Sequence, residues 1–330
     1  MQYRTLGSSG LLVSPLCLGT MTFGRPVEEP EAIKLVHGAI DLGINFVDTA
    51  NIYEGYSRVV GSPGGISEEI LGKALKTHRH EVILTTKVGA PIGPGHQDRG
   101  LSATHILREI DHSLRRLQTD YVDIYTIHWP DQHTPLETTL RALESLVEQG
   151  KVRYIGASNH TAEGLCEMLW LADKLGMPSV VVSQIPFSLL RREFQHDLGF
   201  CKRHKIGVTP YQSLQGGLLT GKYRRGKPLP KASRAAEKPE WMWNLDNKLF
   251  NKLEGIEALA REAGVSTTQY VLSWTLSQPA ITSLILGVKD MAQIEEAVAS
   301  LQVKLPLGHA VRLDKIFPAP WKQHDPIRGN

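Results

Sequence analysis

Short apolar runs alternate along this chain with longer stretches whose apolar residues recur every three or four positions. An unbroken apolar run between turn residues predicts a buried strand, and the three-to-four spacing predicts an amphipathic helix. After an opening hairpin signal, Ser8-Ser9-Gly10 between apolar pairs, strands are expected at 16–19, 46–48, 82–87, 122–128, 154–157, 180–184, 207–210 and 281–286. Helices are expected between them: 31–42, begun near Pro30, then 67–75, 102–117, 136–149 closed by Gly150, 162–175, and around 193–204. Over 102–117, Ile106, Ile110, Leu114 and Leu117 share one face. The stretch 220–243, rich in Gly, Pro and charge, reads as a long loop after the seventh strand. Helices at 246–262 and 266–277 follow it, and the last helix is expected at 291–301. About eight strand–helix units with no linker predict one α/β domain over residues 1–330. The expected fold is a single (β/α)8 TIM barrel with an N-terminal β-hairpin, in preference to a doubly wound sheet.

Composition narrows the class. With 41% hydrophobic and 22% charged residues in 330, the chain has the balance of a soluble globular protein with a large core. A formal net charge of +3, with no basic stripe carrying interleaved aromatics, gives no sign of a nucleic-acid partner. The locally basic stretch 226–234 reads as a mobile loop or an anion site. Cys17, Cys166 and Cys201 are few, odd in number and far apart, so neither a disulfide frame nor a metal site is expected, and the compartment is cytoplasmic. The first residues lack the apolar core of a signal peptide, and nothing approaches the roughly 18 uninterrupted apolar residues of a membrane span. Oligomeric state is not legible.

Three of the expected strands stop at ionisable side chains. Phe46-Val47-Asp48 ends on an acid with Tyr53 five residues on, Ile83 to Lys87 ends on a lysine, and Ile124 to His128 ends on a histidine. A parallel barrel aims such strand ends at one mouth. The four types suit one chemistry: a phenol to give a proton, a lysine paired with an aspartate to tune it, and an imidazole to orient a carbonyl. No G-x-G-x-x-G follows an early strand, so a Rossmann fold has no support. Gly216 to Tyr223 nearly spells a phosphate loop, but Tyr223 stands where Ser or Thr would ligate magnesium. A glycine-rich backbone beside Lys222 can still approach a phosphate.

Asp48-Thr49-Ala50-Asn51-Ile52-Tyr53, Lys87, the stretch from Ser113 to His128 and Gly156-Ala157-Ser158-Asn159 together resemble the aldo-keto reductase family. The similarity runs from Tyr3 to the helix near Leu301. The resemblance implies a (β/α)8 barrel that binds a nicotinamide cofactor, usually NADPH (NADP+), and reduces aldehydes or ketones to alcohols. It implies Tyr53 as general acid with Asp48, Lys87 and His128 completing a tetrad. A free phenol titrates near pH 10, so a nearby cation is expected to strengthen it as an acid.

For the cofactor, the resemblance implies Thr20 and Asp48 near the reacting end, and Ser158, Asn159 and Gln184 on the carboxamide, with Tyr211 stacking on the nicotinamide ring. It also implies Leu214, Gly216, Lys222 and Arg234 over the pyrophosphate, and Gly287, Lys289, Gln293 and Glu296 at the adenosine end. Read without it, Gln184 is equally a loop cap, and Lys289 and Gln293 an exposed helix face. A helix starting near Met291 adds a positive N-terminus for a 2′-phosphate. Departures are Gln212-Ser213 where Ser-Pro is common, Val288 where a small residue is usual, and Ala297 where Asn is common.

The expected partner is a small carbonyl substrate. Trp129, next to His128, is either an aromatic wall of its pocket or packing under Pro130. The 54–66 loop and the tail around Trp321 are the other candidates for that wall. A second reading is an NADPH-binding redox-sensing subunit with little turnover, as in the family's potassium-channel β-subunits. Against it, the chain opens directly on the hairpin, and His128 stands where those subunits tend to carry Asn.

Overall fold

The computed structural model describes residues 1–319. Strands β1 (Arg4–Thr5) and β2 (Leu12–Val13) form the antiparallel hairpin. Eight parallel strands follow: β3 (Leu16–Gly19), β4 (Phe46–Asp48), β5 (Ile83–Val88), β6 (Val122–Ile127), β7 (Val152–Ser158), β8 (Val180–Gln184), β9 (Gly207–Val208) and β10 (Leu284–Gly287). They pair in chain order, with β10 hydrogen-bonded to β3. The ring closes between β9 and the approach to β10, where Val208 and Ile281 form a parallel bridge and the Ile285 N–H donates to Pro210 O at 3.0 Å. Closure leaves no long edge of this eight-stranded sheet unpaired among the described residues.

Helices α1 (Glu29–Asp41), α2 (Ile66–Ala74), α3 (Ala103–Leu117), α4 (Leu136–Glu148), α5 (Ala162–Leu175) and α6 (Asp197–Arg203) follow β3 to β8 in turn. After β9 come α7 (Arg234–Glu237), α8 (Asn247–Glu262) and α9 (Thr267–Leu276), and after β10 come α10 (Met291–Ala299) and α11 (His309–Ile316). α3 shows why the periodic stretches fold. Ser102 Oγ accepts from the His105 N–H at 3.3 Å, the four apolar residues on one face are all buried, and Gln118 ends the helix at φ +53°. Among the described residues no helix is long and apolar enough to cross a membrane.

Three expectations need correction. The loop at 220–243 contains the short helix α7, capped by Ser233 Oγ on the Ala236 N–H; four residues are too few to show a period. The stretch 193–204 splits into a tight turn and the seven-residue α6. α11 lies beyond the last expected helix, and Leu313 and Phe317 carry it into the core.

The hairpin plugs the end of the barrel where the strands begin. Leu6 and Val13 pack with Cys17, Phe46, Ile124, Val181 and Val182 inside the ring. Gly7 lies so close to the β8 and β9 starts that a Cβ there would sit 2.2 Å from Val181 O and 2.7 Å from Gly207 N, and its φ is +55°. Only glycine fits such an approach at that backbone angle.

Candidate active site

The opposite mouth gathers the ionisable strand ends. Asp48 closes β4, Lys87 lies near the end of β5, and His128 directly follows β6. Tyr53 reaches the same point from the turn after β4. Its N–H donates to Ala50 O, and its carbonyl accepts from the Ser67 N–H in the first turn of α2, both at 3.0 Å.

Lys87 is the hub. Its side chain is 0% exposed, and its Nζ donates to Asp48 Oδ1 at 2.6 Å, Thr49 O at 2.7 Å and Tyr53 OH at 3.2 Å. An ammonium has three N–H donors, and all three are used. Burial pulls the Lys87 pKa down, but Asp48 and then Tyr53 outweigh it, so the group ends above its ordinary value and stays charged. The second Asp48 oxygen accepts from Gln184 Nε2 at 2.8 Å. A buried ion pair holds only with such geometry and with its remaining valences satisfied.

Tyr53 departs from expectation. Burial raises its pKa above the usual phenol value; Lys87 opposes this without overcoming it, and Asp48 adds to the rise. The cation next to the phenol is the same one that Asp48 neutralises. Tyr53 is thus a held, protonated donor rather than a strengthened acid. Burial, and then Lys87, hold His128 well below the usual histidine pKa, so the ring is neutral at neutral pH. It meets Tyr53 edge to face, with centroids 6.0 Å apart at 81°, and its Nδ1 is buried without a hydrogen-bond partner. Trp129 stacks on His128 at 5.7 Å and 10° and is 48% exposed. It faces solvent at the mouth and is not core filling.

The residues expected around a cofactor fall into two groups. Beside the tetrad, Asn159 sits at φ +63° at the end of β7. Its Nδ2 donates to His128 O at 2.9 Å and Ser158 Oγ at 3.1 Å, and its Oδ1 accepts from Tyr211 OH at 2.7 Å. Burial lifts the Tyr211 pKa to about 12. Gln184 gives one of its two amide N–H groups to Asp48, which leaves the other and its carbonyl oxygen for a ligand amide. Thr20 is fully buried, its hydroxyl bonded to Asp48 O and Ser67 Oγ, so it braces the strand ends from beneath.

The second group lies across the mouth after β9 and β10. Gly216 and Gly217 follow Leu214 at φ +63° and +91°, and a Cβ on Gly217 would meet Lys222 Nζ at 2.5 Å. Burial, and then Lys289 and Arg234, lower the Lys222 pKa, which places three cations together. Arg234 lies 4.4 Å over the Tyr56 ring and 5.2 Å over Trp241. Lys289 is not free: its Nζ bonds Glu237 Oε2 at 2.5 Å and Ala232 O at 2.8 Å. Gln293 folds back, accepting from the Lys289 N–H and donating to Asp290, the cap of α10. Glu296 instead accepts from Ser266, the cap of α9. Beyond Gly287 nothing lies within 4 Å of a built Cβ.

A nicotinamide dinucleotide fits these residues. Ser213 Oγ and Arg234 Nε are buried without partners, as is His128 Nδ1, and buried polar atoms normally have partners. Trp241 and Glu237 escaped the sequence reading because their meeting with Tyr56 joins positions far apart in the chain. The loop 54–66 folds on Arg58, which bonds Ser62 O at 3.1 Å and pairs with Glu54. Trp321 lies outside the described residues.

Comparison with known proteins agrees with this geometry. The aldo/keto reductase family profile matches residues 15–317. A probable voltage-gated potassium channel subunit beta of Arabidopsis thaliana is 36% identical over 330 residues, covering 96% of this chain and 95% of that protein. An uncharacterized oxidoreductase of Bacillus subtilis is 35% identical, covering 97% of each chain. L-glyceraldehyde 3-phosphate reductase of Escherichia coli is 33% identical, covering 91% of this chain and 88% of that enzyme.

Proposed function

The chain belongs to the aldo/keto reductase family of NAD(P)H-dependent oxidoreductases, and we propose that it reduces a small aldehyde or ketone to the alcohol with NADPH. The observation that carries this is the Asp48–Lys87–Tyr53 chain of hydrogen bonds beneath a neutral His128. NADPH would supply the hydride, held by Ser158, Asn159, Gln184 and Tyr211 at its nicotinamide end and by Lys222, Arg234 and Lys289 at its phosphates.

The protein's part is a proton and a position. Tyr53 keeps its proton across the neutral range because its pKa is raised. It releases that proton only to a strong base, which the carbonyl oxygen becomes as its carbon is reduced. Lys87, 3.2 Å from the phenol oxygen, then stabilises the phenolate. A neutral His128 orients the substrate oxygen through an N–H without competing as a stronger acid.

The similarity to a named channel β-subunit favours a second reading, a cofactor-holding regulatory protein with little turnover. Steady oxidation of NADPH with a panel of aldehydes separates the two. Sustained turnover supports the reductase, whereas a single cofactor equivalent consumed per protein supports the regulatory subunit.

A further inference from the structure

A cleft of about 530 Å³ opens on the flank of the tetrad, between the segment after β5 and the segment after β6. Its walls include Gly89, two residues beyond Lys87, and Trp129, the residue after His128. Because Trp129 stacks on His128, one side of that ring belongs to the site and the indole edge to the cleft. The size suits the distal part of a small ligand. The cleft adjoins the tetrad through Gly89 and Trp129, the neighbours in sequence of Lys87 and His128, and so offers room beside the site for the far end of a substrate.

Polar side chains outnumber apolar ones among the residues that line the cleft, beside the apolar surface of Trp129, Pro91 and Pro130. Arg99 is exposed at the cleft and has no hydrogen bond or ion pair among the described residues. His96 and His133 line it as well. The acid in the wall, Asp131, is spent on its own loop: Oδ1 accepts from the His133 N–H at 2.9 Å, and Oδ2 from the Leu101 N–H and Thr134 Oγ1, each at 2.8 Å. Asp98 nearby is likewise engaged, by the Gly95 N–H and Arg108. The unspent charge facing the cleft is the Arg99 guanidinium, whose fork of N–H donors matches a carboxylate or phosphate.

Resting on the reductase reading above, we propose that Arg99 anchors an oxyanion at the far end of the substrate. The substrate class is then a short carbonyl compound bearing a phosphate or carboxylate, not the flat apolar aldehyde that Trp129 alone would favour. Trp129 packs against the carbon chain between the two ends, and His96 and His133 add N–H donors beside the guanidinium.

The test uses matched pairs: glycolaldehyde phosphate against glycolaldehyde, and succinic semialdehyde against butanal. The wild type should favour the anionic member of each pair in kcat/KM by about tenfold or more, the size of one charge-assisted contact. Arg99→Met should reduce that ratio by about tenfold through KM. The phosphate pair and the carboxylate pair show which oxyanion is preferred. Quenching of tryptophan fluorescence by inorganic phosphate alone, lost in both Arg99→Met and Trp129→Phe, reports the same subsite without turnover. Equal kcat/KM within each pair, or an Arg99→Met ratio equal to that of the wild type, would overturn the proposal while leaving the reductase reading intact. Absence of turnover with every aldehyde would instead count against the reductase reading, and the quenching result would then decide the subsite by itself.

Discussion

Lys87 decides the character of the site, because one buried ammonium must satisfy an acid, a backbone carbonyl and a phenol at once. The four tetrad positions were legible in the sequence since each ends or follows a strand. The balance among them was not: the Lys87–Asp48 pair was expected, but how deeply the fold buries Tyr53 has no local signature, and that burial outweighs Lys87 and raises the phenol's pKa. His128 gives a prediction at this scale. Its pKa is depressed in the fold, so below its ordinary value of 6.5 the unfolded chain binds a proton that the folded chain does not. Its contribution is therefore intact above about pH 6.5 and is lost progressively as the pH falls toward the depressed folded value. Thermal midpoints of the wild type and His128→Gln, followed from about pH 8 to 5, should diverge below about pH 6.5, with the wild type losing more. Parallel curves would mean that the ring is not held neutral by burial.

Among the elements, strands and long helices were readable because their apolar spacing repeats, while the short α7 gave no period and was read as loop. Yet α7 carries Glu237, whose carboxylate takes Lys289 beside α10. The N-terminus of α10 is capped by Asp290 as well. Both acids offset the positive site expected for a 2′-phosphate, a balance that local sequence could not reveal. Glu237→Gln should free Lys289 and raise the preference for NADPH over NADH by roughly threefold to tenfold, within the range of a partly exposed ion pair. Titration of both cofactors by fluorescence checks this, and an unchanged ratio would show that Lys289 does not face the phosphate.

At the scale of the whole molecule, the barrel separates stability from chemistry: the hairpin seals one end and the tetrad occupies the other. Eight strand–helix units made that architecture legible, but the plug depends on Gly7 meeting β8 and β9 within the ring, a contact with no local signature. Gly7→Ala should cost about 1–3 kcal/mol, the usual penalty for forcing atoms into a packed site. Urea unfolding would record it, and cofactor affinity of the folded protein should be untouched. A variant as stable as the wild type would show that the hairpin yields easily. The molecule's central chemistry reduces to one phenol. Tyr53→Phe keeps the ring and removes the proton, so NADPH should bind with nearly its original affinity while aldehyde-dependent NADPH oxidation falls by roughly 10²–10⁴-fold. Aldehyde reduction by the Phe variant at close to the wild-type rate would show that the proton comes from another group.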